Sequence, residues 1–388
     1  MNNNWQTKTL QSLGTFHKGT GIPRDSSYSG KLPAVRYGEL YTNYDTFISE
    51  KTRSRISEDV AKDALKLEYG DILLAGSGET PEDIGKSAVF LLNEGYAGGD
   101  IIVFRPDKTK VNPKFLALYF ETEPWKKQRR RVAQGQSIVH IHTTDLKKMI
   151  VELPDLETQQ KIVQILDTWN NAIDVIKTRL IQEDNLMKYL YAALLSGYKT
   201  TGKSNEYVDV ELSKVANIER GKTLTAKEII PGDIPVIAGG IDSPYNHNQY
   251  THENVITVSA SGANAGYVDY RHGKIWASDC NVIYGKEGIS DTMYIFSWLV
   301  LLQKLIYQLQ TGGAQPHVHA KDLAKLKISL PPLEIQQGIV MRLSTQAAKI
   351  SRLEEYRDNL QNQYKYLLNH LISGDFDLTN IKLEKGKE

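Results

Sequence analysis

The chain has one cysteine, Cys280, in 388 residues, so no internal disulfide can form, which fits a reducing compartment. Long apolar runs are missing: the longest, around Met293 to Leu302, has about half the length a membrane span needs. The stretch Met1 to Leu10 is polar and lacks the apolar core of a secretory leader, so a cytoplasmic location and no membrane contact are expected. An excess of one charge is missing too. Lysine and arginine number 47 against 46 acidic residues, a net charge of +1, which withholds the basic footprint common among nucleic-acid binders.

Catalytic signatures are equally scarce. Neither Gly76-Ser77-Gly78 nor Ser259-Ala260-Ser261-Gly262 leads into Gly-Lys-Ser/Thr, so a P-loop is excluded. No Asn-Pro-Pro-Tyr or Asp-Pro-Pro-Tyr methyltransferase tetrapeptide occurs. Pro81-Glu82-Asp83 and Pro106-Asp107 invite a nuclease reading, but a lone acidic pair after proline reads better as a turn. His140-x-His142 and His317-x-His319 each put two imidazoles on one face of a strand. Metal ligation needs further ligands, and no cysteine or carboxylate cluster follows at a recognisable spacing. No metal, cofactor or catalytic residue is therefore expected.

What is present is a duplication. The stretch from Gly135 to Gly197, shifted by 177 positions, lands on Gly312 to Gly374 without a gap. Asp145-Leu146 falls on Asp322-Leu323, Leu153-Pro154 on Leu330-Pro331, and Leu156-Glu157 on Leu333-Glu334. Gln159-Gln160 falls on Gln336-Gln337, and Ser196-Gly197 on Ser373-Gly374. Each copy reads as a strand, a proline-bounded turn and a long helix. The helical stripes run Ile162, Leu166, Trp169, Ile173, Ile176, Leu180, Met187, Leu190, Leu194, and Ile339, Leu343, Ile350, Leu353, Leu360, Tyr364, Leu367, Leu371. Glu183 interrupts the first; Gln346 and Arg357 interrupt the second. A seam of this period is what a coiled coil needs. Each helix spans about 40 residues, hence about 60 Å, and Gly197 and Gly374 stand where it should stop. The stripe needs a partner, and the other copy is the obvious one.

Two variable regions precede the copies. The first carries strand-like runs at Leu32 to Val35, Asp71 to Ala75, Ala88 to Leu92 and Asp100 to Phe104, then a helix from Asn112-Pro113 through Phe120. The second repeats the layout with little identity: Ile234-Pro235-Val236, Val255 to Ser259, Asn281-Val282-Ile283, then a helix over Phe296 to Leu309. The expected boundaries are 1–154, a first variable domain; 155–198, a helix; 199–206, a polar linker; 207–331, a second variable domain; 332–374, a helix; and 375–388, a polar, mobile tail. Two such units on an antiparallel helix pair would share a pseudo-twofold axis, which suits the approximate dyad of duplex DNA.

Gly312-Gly313-Ala314-Gln315-Pro316-His317, Asp322-Leu323, Leu330-Pro331-Pro332-Leu333-Glu334-x-Gln336-Gln337 and the closing Tyr366-Leu367-Leu368 to Ser373-Gly374 carry a resemblance. The chain resembles the DNA-specificity (S) subunit of type I restriction–modification systems over nearly its whole length. The first copy departs from the pattern, with Gly135-Gln136-Ser137 for the glycine pair and Val139 for the proline. The resemblance implies an α+β fold: two α/β target recognition domains in tandem, separated by two long helices forming an antiparallel coiled coil, with an internal pseudo-twofold repeat. It implies a non-catalytic subunit that reads a split site in double-stranded DNA and docks two methylation (M) subunits. Restriction (R) subunits join the full complex; adenine methylation and ATP-driven cleavage belong to those partners. The residues alone leave open a single-chain nuclease or methyltransferase, and a coiled-coil scaffold without DNA function.

Candidate DNA contacts follow. The run Lys126-Lys127-Gln128-Arg129-Arg130-Arg131 suits phosphate contacts, with arginine also able to read guanine, or else is a solvated helix end favoured by the helix dipole. Gln134, Gln136 and Ser137, with Gly313, Gln315 and His317 in the second copy, combine amide side chains with backbone freedom, or form plain turns. Tyr37, Tyr41 and Tyr44, and Tyr245, Asn246, His247 and Tyr250, follow the paired proline-containing strands and could stack on or read bases, or be surface residues. Lys18, Arg36, Arg220 and Lys222 suit phosphate clamps.

Overall fold

A computed structural model describes residues 5–135, 138–199, 202–203, 206–225, 227–239, 245–313, 315–376 and 378. The chain divides into two compact units, one of Met1–Val175 with Asp358–Glu388 and one of Ile176–Arg357. The two long helices run over Leu156–Ser196 and Leu333–Ile372, so their starts keep the offset of the repeat. Both stop where glycine allows a left-handed turn, at Gly197 with φ +67° and Gly374 with φ +76°. A Cβ on Gly197 would stand 2.5 Å from the Tyr207 ring. That ring is fixed because Tyr207 Oη donates to Leu194 O at 3.0 Å, satisfying a carbonyl of the last turn.

Within the first unit the early part of the first helix packs on the late part of the second. Ile162 and Leu166 share a core with Leu371 and Ile372, and Tyr364, Leu367 and Leu368 line its edge. Trp169 Nε1 donates to Gln363 Oε1 at 3.1 Å. Within the second unit the parts exchange roles: Met187, Leu190, Leu194 and Leu195 meet Ile339 and Leu343. Early residues meet late ones in both units, so the pairing is antiparallel.

Two of the polar interruptions of the stripe answer each other. Glu183 is 2% exposed and Gln346 is 8% exposed. Glu183 Oε2 accepts from Gln346 Nε2 at 2.8 Å, and its Oε1 meets Arg179 Nε at 2.6 Å and Lys349 Nζ at 2.9 Å. A buried carboxylate is tolerable only with such partners. The Gln346 amide first, and then Lys349, hold it below the usual carboxylate range. The repeat matches Glu183 to Leu360 and Gln346 to Trp169, so the same place in the first unit is apolar.

The first unit carries a five-stranded sheet in the order Gly14–Lys18, Ile101–Pro106, Ile72–Ala75, Ser87–Phe90, Phe47–Ile48, and a four-stranded one of Ser54–Ile56, Leu32–Val35, Tyr96–Ala97 and Leu65–Lys66. The second carries one sheet of six, in the order Ala216–Arg220, Cys280–Gly285, His252–Ser259, Val268–Ala277, Ile234–Ile237, Asn246–His247. In each, the proline-bearing strand pairs in parallel, Leu32–Val35 with Tyr96–Ala97 and Ile234–Ile237 with Val268–Ala277. In each, a two-stranded ladder leads to the long helix: Gln6–Thr9 with Ile150–Leu153, and Val208–Glu211 with Lys327–Leu330.

A buried glutamine joins variable region to helix in both units. Gln159 Oε1 accepts from the Asn112 N–H at 2.8 Å, and its Nε2 donates to Pro154 O at 2.8 Å. Gln336 Oε1 accepts from the Asp291 N–H at 2.9 Å, and its Nε2 donates to Pro331 O at 2.8 Å and Ile289 O at 3.1 Å. Asn112 and Asp291 are themselves N-caps, each accepting two backbone N–H groups with its side chain.

The late helix of the second unit differs from the sequence expectation. It starts earlier, because Asp291 caps it, and it is two helices, Thr292–Leu301 and Gln303–Gln308. The break at Leu302 accompanies Gln303, whose side chain is fastened to Val268 N at 3.0 Å and Gly266 O at 2.7 Å. At the linker, Tyr198–Lys199 pairs with Gly202–Lys203; residues 200, 201, 204 and 205 fall outside the described residues, as does most of the tail. Among the described residues no helix is long and apolar enough to cross a membrane.

Gln336→Leu strips partners from Asp291 N–H, Ile289 O and Pro331 O, and should cost on the order of 2–4 kcal/mol of unfolding free energy. Gln337→Ala, at an exposed neighbour, should stay within about 0.5 kcal/mol in the same urea titration. For Glu183 the folded value lies below the unfolded one of about 4.3, so its contribution is present at neutral pH and fades as pH falls through the folded value. Wild type should melt above Glu183→Gln at pH 7, and the gap should close below about pH 4; a gap constant down to acid would contradict this.

Candidate nucleic-acid interface

The shared loop is closed by a matching backbone bridge in both units. Gln134 and His140 bridge across it in the first, Thr311 and His317 in the second. Gly135 has φ +125° and Gly312 has φ +91°. A Cβ there would stand 2.0 Å from Ile138 O or 2.8 Å from Gln315 O, so side chains are excluded and the backbone turns tightly.

Each loop docks on a serine turn. Val139–His140 pairs with Ser77–Gly78, and His317 bridges Ser261. The Ile141 N–H donates to Gly76 O at 3.1 Å, and the Val318 N–H to Ala260 O at 3.0 Å. His140 Nδ1 lies 3.1 Å from Ser77 Oγ. Tyr41 Oη donates to Ser77 O at 2.9 Å, and burial pushes this phenol up to about 12, so it stays a neutral donor. A polar cavity of about 230 Å³ opens here, with Lys18, Ser77, Asp100, His140, His142 and Thr143 among its walls. The His317 and His319 rings lie parallel, 6.3 Å apart. Among the described residues no three or more His, Cys, Asp or Glu side chains gather into a metal site.

The basic run lies on the helix Glu123–Val132. Lys126 pairs with Glu121 at 3.2 Å and Arg130 with Glu123 at 3.1 Å. Arg131 is exposed and, among the described residues, faces no carboxylate. Arg129 turns inward instead. It is buried, donates to Glu82 O at 2.6 Å, and burial lowers its guanidinium below the ordinary value. As i+4 from the buried Trp125 it occupies the core face of the helix, so it is unavailable to DNA. His247 is corrected likewise: it is buried, its Nδ1 accepts from the Ile230 N–H at 3.0 Å, and its ring meets Trp276 edge-on at 4.8 Å.

Most of the remaining candidates reach the surface. Lys18 and Arg220 end matching strands, each followed by a glycine whose N–H donates to the neighbouring strand, to Ile101 O and Cys280 O. Lys18 is exposed, whereas Arg220 is joined to Asp279 at 3.3 Å. Lys222 lies 5.5 Å from the Trp276 ring centroid. Arg36 precedes the helix Tyr37–Thr42 and is half-buried; Tyr37 is exposed on its first turn, while Tyr44 is buried. Gln134, Tyr245, Asn246, Gly313 and Gln315 are exposed and His317 half-buried. Gln136 and Ser137 lie outside the described residues. Sequence reading matched Gln159 with Gln336 across the repeat but gave the pair no role, although a recurring amide was a usable signal.

Comparison with known proteins agrees with this doubled construction. The profile described as "Type I restriction modification DNA specificity domain" matches residues 2–183 and 204–362. The chain is similar to the type I restriction enzyme MjaVIII specificity subunit of Methanocaldococcus jannaschii, 22% identical over 397 residues and covering 91% of each chain. It is similar to the type I restriction enzyme StySPI specificity subunit of Salmonella potsdam, 22% identical over 414 residues, 96% of this chain and 88% of the other. In fold it is similar to the crystal structure of the S subunit of a type I restriction–modification system from M. genitalium, with TM-score 0.64, 16% identity, and 96% and 97% of the two chains covered. Two matched segments, each holding one serine turn and one glycine loop, leave a single conclusion: the chain belongs to the type I restriction–modification DNA-specificity family.

Proposed function

We propose that this chain is the DNA-recognition subunit of a type I restriction–modification complex, reading a two-part sequence and presenting it to partner subunits that carry the chemistry. The observation that carries this is the glycine loop docked on a serine turn, built twice on sheets that differ. A constant frame around two separately adjustable surfaces suits two unlike half-sites. Residues 1–154 and 207–331 are the two recognition domains; 155–198 and 332–374 are spacer helices on which two methylation subunits dock; restriction subunits join the larger assembly. Lys18, Arg36, Tyr37, Lys126, Arg130, Arg131 and Gln134 supply the first surface. Arg220, Lys222, Tyr245, Asn246, Gly313, Gln315 and His317 supply the second. Gln136 and Ser137 complete the first loop.

The near-neutral charge limits what the chain does alone, since phosphate neutralisation supplies much of DNA affinity. Methylation subunits that clamp the duplex would provide the rest. A single-chain nuclease or methyltransferase could use the same paired loops, but the sequence holds no Asn-Pro-Pro-Tyr or Asp-Pro-Pro-Tyr tetrapeptide to go with them, and a scaffold has no use for such loops.

Mapping modified adenines in a host that expresses the chain with its methylation partners should return one motif of two specified parts around an unspecified gap. Modification scattered without such a motif would refute the proposal. Arg131→Ala should weaken DNA binding by the complex about equally on all sequences and lower the salt slope by about one, measured by fluorescence anisotropy over a salt series.

A further inference from the structure

The arginines of the first unit can be sorted by what holds them. Arg105 meets Asp71 at 2.8 Å and Glu68 at 2.6 Å, and Arg130 meets Glu123, so both charges are answered by carboxylates. Arg129 is buried. Arg53 is different: it is exposed, yet neutral groups fix it at three points. Its backbone N–H donates to Tyr44 Oη at 2.8 Å. Its Nε donates to Tyr28 Oη at 3.2 Å, and its Nη1 to Asn43 Oδ1 at 3.3 Å. The Thr42 hydroxyl donates to that same Asn43 oxygen at 2.9 Å. Among the described residues no carboxylate forms an ion pair with Arg53. Glu39, which acts on it from farther away, is buried and accepts from Ser54 Oγ and the Arg36 N–H.

A guanidinium has five N–H donors. Two are used here, and the outer edge, with one N–H on Nη1 and both on Nη2, stays open. That edge has the spacing of guanine N7 and O6 in the major groove. It could also meet a phosphate. A phosphate needs charge more than a fixed plane, whereas a base edge needs the plane. Tyr28 and Asn43 together set the plane without cancelling the charge, which favours the base. The position agrees: Asn43 follows the helix Tyr37–Thr42, whose Tyr41 is bonded to the serine turn under the shared loop.

We propose that Arg53 is a specificity-determining residue that reads a guanine in the half-site taken by the first unit, with Tyr28 and Asn43 as positioning residues. This rests on the DNA-recognition reading above.

The test maps adenine methylation by the full complex carrying wild type, Arg53→Ala, Arg53→Lys or Tyr28→Phe chain. Arg53→Ala should relax one guanine position in one half of the motif, by on the order of 10- to 100-fold in preference, and leave the other half intact. Arg53→Lys keeps the charge but cannot present a bidentate fork, so it should relax the same position. Tyr28→Phe, which removes the hydroxyl that receives Nε, should do so more weakly. An unchanged motif with Arg53→Ala and Arg53→Lys would overturn the proposal. So would an equal loss of methylation at all sequences that lysine restores, the mark of a phosphate contact. If Arg53→Ala fails to fold, Arg53→Lys and Tyr28→Phe decide by the same criterion. A wild-type complex without any two-part motif would instead sink the recognition reading beneath it.

Discussion

The join between recognition surface and helix depends on one buried amide. Gln159 and Gln336 each accept from the N–H of a capping residue and donate to the carbonyl of a proline that ends a strand. The strand, the turn, the late helix of the variable region and the first turn of the rod are tied at one point. Glutamine suits this because its amide offers donor and acceptor a fixed distance apart, and burial makes loss of either expensive. An exposed linkage would let the recognition surface swing on its rod. A buried one transmits orientation.

Around that fixed joint, the two units diverge in how they use charge. Lys18 ends its strand exposed beside the serine turn, whereas Arg220 in the matching place is engaged by Asp279. The second unit stacks Lys222 on Trp276 and Lys274 on Tyr250, with the Lys274 ammonium 4.5 Å from the ring centroid. The first also sets Lys108 over Tyr69 and Lys114 over Phe47, and in addition fixes Arg53 between a phenol and an amide. Similar frames therefore present unequal arrays of charged groups, which suits the proposed reading of two different half-sites.

Much of the scaffold was legible because it rests on local rules and on repetition. Gly197 and Gly374 end their helices by left-handed geometry that glycine adopts freely, and the heptad stripe located the buried seam. What escaped was set by tertiary context. The basic run looked uniform, yet a helix puts one residue in three or four on its inner face, and Arg129 falls four after Trp125. His247 alternates inward from exposed Asn246 on an edge strand. The split of the second late helix depends on Gln303 finding a distant hairpin. Arg53 had no motif at all, because its three holders, Tyr28, Asn43 and Tyr44, are scattered over the preceding chain.

The acid-and-amide contact of Glu183 with Gln346, set against Trp169 and Leu360 at the matched places, makes the two halves of the gene product chemically unlike. A rod paired with a duplicate of itself would set the Glu183 carboxylate against the Trp169 indole, keeping Arg179 from its own helix but losing Gln346 and Lys349. Two second-copy rods would leave Gln346 facing Leu360. Pairing of like rods would thus leave these buried polar groups less well matched than pairing of unlike ones.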